Sequence, residues 1–379
     1  MKKKIVFLTG TRADYGKLKS LMRIVEADSE FEMHIFVTGM HLLSKYGATY
    51  REIEKDNYKN IYKFVNQKVH QTMDITLSNT ILGFSNYVSE LKPDLIIVHG
   101  DRVEALAGAI VGAFNNIKVA HIEGGEVSGT IDESIRHAIT KFAHIHLVAN
   151  EEARRRVIQL GEKENMVFVI GSPDIDVMFS PNLPTLKDAR QRYEIDFDRY
   201  GIVMYHPVTT ETADNMKHKA KCLVDALLLS KRNYVVIYPN NDEGTNIILD
   251  EYKRLQGNQR FKIFPSIRFE YFLTLMKHCD FIIGNSSAGV RESSVYGIPS
   301  IDLGNRQMNR YDAIKSKNIV NIPEDTTLIL NTIANISRYR TDPYSYFGNG
   351  DSDKLFISIL KDERIWTEHV QKCFVSSVD

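Results

Sequence analysis

The sequence predicts an α/β protein made of two doubly wound, Rossmann-like domains. Short runs of Ile, Val and Leu recur along the chain without polar alternation, which is typical of parallel strands covered on both faces. Amphipathic stretches with helical spacing separate these runs, and this alternation stops once and then begins again. A chain of 379 residues has room for two such domains, each with its own core.

The first domain is predicted to cover residues 1–180. A turn at residues 9–15 is expected to join its first strand to its first helix. The predicted strands are residues 5–8, 33–37, 95–98, 119–122 and 145–148, and the predicted helices are residues 17–27, 81–91 and 134–142.

The second domain is predicted to begin after a linker at residues 180–186, which contains two prolines and few core residues. Its predicted strands are residues 201–205, 234–238, 261–264, 281–283 and 300–302, and its predicted helices are residues 219–229 and 269–278. Ligands of doubly wound sheets bind beyond the carboxyl ends of the strands. We therefore expect the two domains to face each other across a ligand-binding cleft.

Composition excludes several classes of protein. Lys plus Arg and Asp plus Glu both total 48, and a zero net charge argues against a nucleic-acid backbone or an anionic membrane as the main partner. The three cysteines are too few and too far apart for a disulfide framework or a closed cysteine metal site. The sequence shows no signal-peptide core and no apolar span of membrane length. We expect a cytoplasmic protein that binds a small ligand.

The first polar cluster follows the first predicted strand. Residues 9–16 read TGTRADYG, so two glycines bracket Arg12 just before a helix. Glycines allow close approach of the backbone, a helix N-terminus favours an anion, and Arg12 can bind phosphate in a bidentate manner. An ordinary strand-to-helix turn with a surface arginine explains this segment equally well, because the full dinucleotide-binding glycine pattern is absent.

Carboxylates follow the next strands. Asp101 comes after residues 95–98, Glu123 comes after residues 119–122, and Asp132 begins the helix beyond. Taken singly, each is more readily structural, and Asp132 fits the first turn of a helix. Three at one sheet edge indicate acid–base chemistry, because grouped carboxylates push their pKa values apart. A metal site is the weaker alternative, since no Asp-x-Asp or His-x-x-x-His motif is present.

The second half carries a different polar set. His206 ends one predicted strand, Asn240 follows another, and the segment GNSSAGVRE follows a third. Small residues and the hydroxyls of Ser286 and Ser287 are suited to a diphosphate, and Glu292 can accept both ribose hydroxyls. Helix capping is the structural alternative for the two serines.

Together these segments resemble the hydrolysing UDP-N-acetylglucosamine 2-epimerases, in particular the bacterial sialic-acid branch that forms N-acetylmannosamine. The resemblance extends in order from about residue 3 to residue 310 and rests on the segments TGTRADYG, VTGMH, HGDR, HIEGGE, DESIRHAITK, HPVT, YPNND, GNSSAGVRE and LGNRQ. It implies a GT-B fold with the substrate in the interdomain cleft. The implied reaction eliminates UDP to give 2-acetamidoglucal and then hydrates it, without a cofactor and without a catalytic metal.

The resemblance also assigns residues. It implies that Asp101, Glu123 and Asp132 are catalytic, although it does not assign one reaction step to each of them. It also implies that His41 and Arg136 are on the sugar side of the site. It implies UDP binding by Arg12, Arg102, His206, Asn240, Arg268, Ser286, Ser287, Glu292 and Arg306, with residues 265–269 around uracil. It further implies a UDP-binding domain over residues 181–351, a C-terminal helix at about 352–379 that packs on the first domain, and a homodimer or dimer of dimers.

Three alternatives remain open at this point. One is a related hydrolysing epimerase for another nucleotide sugar, such as a GDP-linked diacetamido hexose on the legionaminic-acid route. A second is a GT-B glycosyltransferase, which needs an acceptor. A third is a sensor that binds a nucleotide sugar without turning it over, against which the three carboxylates argue.

Overall fold

The computed structural model of the chain describes residues 2–128, 130–308, 311, 316–344, 346–373 and 375. The chain divides into two compact units. The first unit contains residues 1–126, 132–180 and 347–379, and the second contains residues 127–131 and 181–346. The C-terminal segment therefore belongs to the same unit as the N-terminus.

The first unit is built on a parallel sheet which, over the described residues, has seven strands in the order β3-β2-β1-β4-β5-β6-β7. The strands are β1 Lys3–Thr9, β2 Phe31–Val37, β3 Ile61–Lys63, β4 Leu95–His99, β5 Lys118–Ile122, β6 Ile145–Val148 and β7 Val167–Val169. The helices are α1 Arg12–Ala27, α2 Tyr50–Lys55, α3 Met73–Leu91, α4 Val103–Phe114, α5 Ile131–Phe142, α6 Glu151–Gln159 and α7 Pro173–Met178. The central strands are buried along their whole length, as the continuous apolar runs predict.

The second unit repeats the architecture with a parallel sheet of six described strands, in the order β10-β9-β8-β11-β12-β13. The strands are β8 Gly201–Met204, β9 Tyr234–Ile237, β10 Phe261–Phe264, β11 Phe281–Gly284, β12 Ser300–Leu303 and β13 Ile319–Ile322. The helices are α8 Leu186–Arg192, α9 Ala213–Leu229, α10 Thr245–Tyr252, α11 Phe269–Lys277, α12 Glu292–Val295 and α13 Thr326–Ala334. The predicted fold class, two parallel-sheet Rossmann-like α/β domains, is confirmed.

Strand order places a switch point in each sheet. In the first unit the chain builds outward from β1 in one direction and then restarts at β4 on the other side. In the second unit the same reversal occurs between β8 and β11. The loops after the two central strands diverge at such a point, and the crevice between them is where doubly wound sheets bind ligands.

Over the described residues, the C-terminal segment forms two helices, α14 Ser352–Leu360 and α15 Glu363–Thr367, where one helix over about 352–379 is predicted. Residues 374 and 376–379 of that prediction lie outside the described residues. Asp176 of α7 accepts hydrogen bonds from the backbone N–H groups of Ser352 and Asp353, at 2.9 and 3.0 Å, and so caps α14. Phe356 is fully buried with its ring edge-on to Phe7 of β1. These contacts attach the C-terminal segment to the core of the first unit.

The first helix begins earlier than predicted, at Arg12 instead of about residue 17. Thr11 and Asp14 form a reciprocal capping box that closes the first turn directly after β1. Arg12 is therefore the first residue of a helix and not part of an open loop. Among the described residues, no helix is both long enough and apolar enough to cross a membrane.

Candidate active site

The switch point of the first unit is formed by the segments that follow β1 and β4. Asp14 organises the first of them, because its carboxylate accepts from the Thr9 hydroxyl at 2.7 Å and from the Gly10 N–H at 3.0 Å. Arg12 projects from this turn, and Glu52 of α2 binds its Nε, at 3.1 Å, and its Nη2. The sequence analysis did not identify Glu52, because nothing local to residue 52 indicates its arginine partner.

Asp101 lies directly after β4 and forms an ion pair with Arg136 of α5. Arg136 has no exposed surface, and its Nη1 donates to the backbone oxygen of Glu126 at 3.1 Å. The Asp101 side chain stays 22% exposed. In this structure Arg136 therefore holds the carboxylate of Asp101 in place through an ion pair, whereas the resemblance implied a sugar contact for Arg136.

Glu123 follows β5 and is buried, with a backbone φ of 72°. This left-handed conformation is unusual for a residue with a side chain and is found disproportionately at functional sites. The carboxylate lies 2.9 Å from Nε2 of His99, the last residue of β4. His99 and Glu123 thus form a buried pair across neighbouring strand ends, and His99 is a partner that the sequence analysis did not single out.

Asp132 lies in the first turn of α5 and is half-buried. Residues four apart in a helix share one face, so Asp132 and Arg136 project from the same side of α5. The three predicted catalytic carboxylates are therefore all in the first unit, and they follow the neighbouring strands β4 and β5. Asp101 forms an ion pair with Arg136 of α5, and Asp132 lies on the same face of α5 as Arg136.

His121 of β5 fixes the backbone beside these carboxylates. Its Nε2 lies 2.8 Å from the Gly100 oxygen and its Nδ1 lies 3.1 Å from the Thr140 hydroxyl. The carbonyl can only accept, so Nε2 carries the proton. Burial lowers the pKa of His121 to about 3, and the ring stays neutral.

His41 was expected on the sugar side, but it has no exposed surface. Thr9 donates its hydroxyl proton to Asp14, so it accepts from Nε2 of His41 at 3.0 Å. Nδ1 of His41 then accepts from the Thr49 hydroxyl at 2.7 Å. Burial lowers the pKa of His41 to about 4. With both ring nitrogens satisfied, His41 supports the turn after β1 in this structure.

The switch point of the second unit is bridged by Asn285, which directly follows β11 and has no exposed surface. Its side-chain oxygen accepts from the His206 N–H at 2.7 Å, and its amide donates to the His206 oxygen at 2.9 Å. Gly284 has to be glycine, because a Cβ there would lie 1.9 Å from the Met204 oxygen. The close approach of β8 and β11 thus allows Asn285 to hold His206.

His206 has a defined tautomer when neutral. The backbone N–H of Asn240 donates to Nδ1 of His206 at 3.0 Å, so Nδ1 carries a lone pair and Nε2 carries the proton. The Asn240 side-chain amide donates to Asp242, and the backbone oxygen of Asn240 accepts from the Thr245 hydroxyl at 2.6 Å. His206 is thereby prepared to donate a hydrogen bond from Nε2.

The two adjacent serines differ in role. The Ser286 hydroxyl accepts from the Ala288 N–H at 3.4 Å and caps a 3₁₀ turn over Ser287–Gly289. The Ser287 hydroxyl makes no hydrogen bond within the described part of the chain and is half-exposed. The element that follows is this short turn and then the four-residue α12, so the segment does not lead into a long helix. Backbone N–H groups of the turn and the Ser287 hydroxyl can donate hydrogen bonds to an anion.

Three more of the predicted nucleotide ligands are in the second unit, whereas Arg102 is in the first. Arg306 donates from Nη1 to the Asn285 oxygen at 3.3 Å, and Glu292 is buried as the first residue of α12. Arg268 donates from its backbone N–H to the Tyr193 hydroxyl at 2.9 Å, while its guanidinium binds Glu270. Among the described residues, no group of three or more His, Cys, Asp or Glu side chains is arranged to hold a metal ion.

Comparison with known proteins identifies relatives over nearly the whole chain. A family model described as UDP-N-acetylglucosamine 2-epimerase matches residues 23–361. The chain is 47% identical to the UDP-N-acetylglucosamine 2-epimerase of Neisseria meningitidis serogroup B, covering 98% of this chain and 99% of the relative. It is 31% identical to the hydrolyzing UDP-N,N'-diacetylbacillosamine 2-epimerase of Legionella pneumophila, with the same coverage.

A solved structure supports the fold. The UDP-GlcNAc 2-epimerase of Methanocaldococcus jannaschii, in complex with UDP-GlcNAc and UDP, superposes with a TM-score of 0.82. The superposition covers 94% of this chain and 99% of that protein at 21% identity. At this identity the comparison establishes a shared fold.

Proposed function

The chain belongs to the UDP-N-acetylglucosamine 2-epimerase family, and we propose that it converts UDP-N-acetylglucosamine and water into UDP and N-acetylmannosamine. The observation that carries this proposal is the set of three carboxylates in the first unit. Asp101 is held by the buried Arg136, Asp132 shares a helix face with Arg136, and Glu123 is paired with His99. Three acids in three different environments are what a two-step proton-transfer reaction needs.

The chemistry begins with loss of UDP. The hydrogen on C2 of the sugar is barely acidic, so cleavage of the C1–O bond leads and builds positive charge at C1 and the ring oxygen. A carboxylate near the ring stabilises that charge and then removes the C2 proton. The C1–O electron pair leaves with UDP, and the C2–H pair forms the C1–C2 double bond of 2-acetamidoglucal.

Hydration completes the reaction. A carboxylic acid delivers a proton to C2 from the opposite face, and a carboxylate activates water for addition at C1. The configuration at C2 is inverted, and the product is N-acetylmannosamine. We assign these steps to Asp101, Glu123 and Asp132 as a group. Interacting carboxylates titrate together, so the acid and base roles in the two steps belong to the set and not to one residue.

The nucleotide is the leaving group, and the second unit provides neutral donors suited to it. We propose that Nε2–H of His206 and the hydroxyl of Ser287 donate to the diphosphate, with Arg306 as a cation. Glu292 accepts from the ribose, and Ser286, Asn240 and Arg268 complete the nucleotide site. In the first unit, Arg12 and Arg102 supply further positive charge. Donors held in place before the reaction stabilise the charge that develops on UDP and lower the barrier.

The proposal is tested by mass spectrometry in heavy water with UDP-N-acetylglucosamine and no acceptor. Elimination and hydration place one solvent deuterium at C2, so the expected products are UDP and N-acetylmannosamine one mass unit heavier at that carbon. Recovery of intact substrate would contradict an epimerase. UDP release without deuterium at C2 would contradict elimination, and a requirement for an acceptor sugar would indicate a glycosyltransferase.

A second candidate substrate is a nucleotide-linked diacetylbacillosamine, the sugar named for the Legionella relative. The greater identity to the Neisseria protein favours UDP-N-acetylglucosamine. Parallel reactions with UDP-N-acetylglucosamine and with UDP- and GDP-linked diacetylbacillosamine decide between them. We expect kcat/KM to be highest for UDP-N-acetylglucosamine, and a higher value for either bacillosamine substrate would reassign the chain.

We also propose the setting of the reaction. N-Acetylmannosamine is the amino sugar from which sialic acids are built, so the reaction is placed first in the synthesis of CMP-sialic acid precursors. A cytoplasmic location fits the three free cysteines. The family resemblance supports a homodimer or dimer of dimers, and sedimentation equilibrium should give twice or four times the 43.4 kDa chain mass.

A further inference from the structure

The C-terminal tail, residues 368–373, lies against the end of α5, the helix whose first turn carries one of the proposed catalytic acids. The last carbonyls of a helix have no partner within the helix itself. In α5 two of them, those of Thr140 and Lys141, accept hydrogen bonds from Nζ of Lys372, at 3.2 and 3.0 Å. The tail therefore caps α5 from a position 231 residues further along the chain.

The ammonium of Lys372 is surrounded by oxygens. It also donates to the backbone oxygen of Ala143, just beyond α5, and to Oε2 of Glu162 at 2.5 Å. The four oxygens outnumber the hydrogens of an ammonium, so Lys372 interacts with the whole group of acceptors and not with one of them. The C-terminus of a helix also favours a cation, which strengthens the cap.

Glu162 connects this cap to the rest of the first unit. Its side chain is 2% exposed, accepts from Nζ of Lys141 at 2.6 Å and lies 3.1 Å from Nε2 of His146. Burial alone would raise the pKa of Glu162, but hydrogen bonding to His146 and the charge of Lys372 outweigh it and lower the pKa to about 2. The carboxylate is therefore ionised, and it keeps two partners if Lys372 is replaced.

A second contact fixes the tail beside the cap. The backbone N–H of Val119 donates to Nδ1 of His144 at 3.1 Å, so in the neutral ring Nε2 carries the proton and donates to the Val370 oxygen at 2.8 Å. Burial lowers the pKa of His144, which favours the neutral ring. The place of Lys372 against α5 is thus set by the core strand β5 through His144.

The opposite end of α5 carries the proposed chemistry. Asp132 lies in its first turn, and Arg136, one turn further on, forms the ion pair with Asp101. A helix transmits displacement as a rigid element, so a shift of its C-terminus along the axis also moves these side chains. A misplacement of about 1 Å can lower a rate about a hundredfold. The anchoring of one end of α5 therefore bears on the geometry at the other.

We propose that Lys372 is a positioning residue, which holds α5 by its C-terminus so that Asp132 and Arg136 keep their places beside Asp101. The inference rests on the proposed function, because Asp132 is a catalytic acid only if the chain is an epimerase. Lys372 acts through α5 and not on the substrate. Its effect is on turnover, while the affinity for the nucleotide is set in the second unit.

The test compares Lys372→Met with wild type in the release of UDP from UDP-N-acetylglucosamine and in calorimetric titration with UDP. Methionine is also a long unbranched side chain but cannot donate a hydrogen bond. We expect kcat to fall about tenfold, while the UDP dissociation constant changes less than about twofold. Lys372→Arg retains the charge and the donors and should recover most of kcat.

The matched control is Lys163→Met. Lys163 binds Glu368 of the same tail at 2.6 Å, so this variant loosens the tail without removing the cap of α5. Its kcat should equal that of wild type. A fall in kcat as large as that of Lys372→Met would show that attachment of the tail in general matters and would overturn the specific role of Lys372.

Two further measurements separate positioning from a structural role. Rates are measured well below the unfolding temperature of each variant, where a loss of stability alone leaves kcat unchanged. In the Asp132→Asn background, Lys372→Met should lower the residual kcat by less than about threefold, because a group that it positions is already gone. Wild-type kcat in Lys372→Met, or a full tenfold further loss in the double mutant, would overturn the inference and leave the epimerase reaction intact.

A milder variant covers a failure of Lys372→Met to fold. Lys372→Gln keeps a donor for the carbonyls, so its kcat should fall about threefold, and wild-type kcat would equally overturn the inference. Wild-type protein that releases no UDP would overturn the proposed function, and this inference with it.

Discussion

The two switch points of the molecule use different chemistry on the same architecture. In the first unit, arginines are paired with carboxylates, as in Arg12 with Glu52 and Arg136 with Asp101. In the second unit, a neutral amide network of Asn285, His206 and Asn240 joins the strand ends. The first arrangement consists of ion pairs, whereas the second consists of hydrogen bonds between neutral groups.

This difference corresponds to the two parts of the proposed reaction. Acid–base groups need neighbouring charges, because those charges set their pKa values. A diphosphate already carries its own charge, so neutral donors with fixed directions can recognise it. The comparison predicts that changes to the three carboxylates of the first unit affect turnover, whereas changes in the second unit affect nucleotide binding.

The largest effect is expected from Asp101→Asn and Asp132→Asn, which remove proton-transfer groups of the first unit. We expect kcat to fall about a thousandfold, within the range of general acid–base catalysis, with UDP affinity changed less than about threefold. Initial rates and UDP titrations measure the two quantities. Glu133→Gln, in the same turn of α5 as Asp132, is the control. Normal turnover in both Asn variants would refute the catalytic assignment.

A smaller effect, mainly on binding, is expected from Asn285→Ala. The variant loses two part-buried hydrogen bonds to the backbone of His206, each contributing about 1 kcal/mol, so UDP affinity should fall roughly thirtyfold. Calorimetry measures the dissociation constant. Asn233→Ala, which removes an exposed side-chain hydrogen bond in the same unit, should leave it unchanged. Wild-type affinity in Asn285→Ala would show that this bridge does not organise the nucleotide site.

The two serines give a sharper test within the second unit. Ser287→Ala should weaken UDP binding about tenfold with little change in stability, because its hydroxyl has no partner in the described chain. Ser286→Ala should lower the free energy of unfolding by about 1 kcal/mol through loss of a cap, with a smaller effect on UDP. Denaturant unfolding and calorimetry distinguish them. The reverse pattern would exchange their roles. Arg12→Ala should also weaken UDP binding.

The smallest effect on activity is expected from changes in acid stability, which the first unit should limit. Burial lowers the pKa values of His41 to about 4 and His121 to about 3. The unfolded chain takes up these protons near pH 6.5 and the folded chain does not, so stability is full above that pH and falls as the pH drops toward 4. His121→Gln should show a decline from pH 7 to 5 that is smaller by about 2 kcal/mol. Urea unfolding at pH 7 and at pH 5 measures this decline in the free energy of unfolding. The same decline in His121→Gln as in wild type would contradict a neutral His121.

Much of the fold could be predicted because apolar runs identify buried strands without reference to their neighbours. The strands β3, β7 and β13 were missed, since they have three or four residues and β3 is largely exposed. The start of α1 was misplaced because two glycines in residues 9–16 indicate a loop. Thr11 and Asp14 at capping-box spacing were the signal that could have corrected it.

The sequence by itself determined the fold class and the family, and hence the reaction type and the candidate residues that we propose perform it. Tertiary structure alone decided which of those side chains are exposed and which are enclosed. His41 and Arg136 are motif residues without exposed surface, while Asn285 became prominent only through its partner on another loop. The physical reason is that strand order, not local sequence, sets which loops meet at a switch point, and those neighbours determine burial and hydrogen bonding.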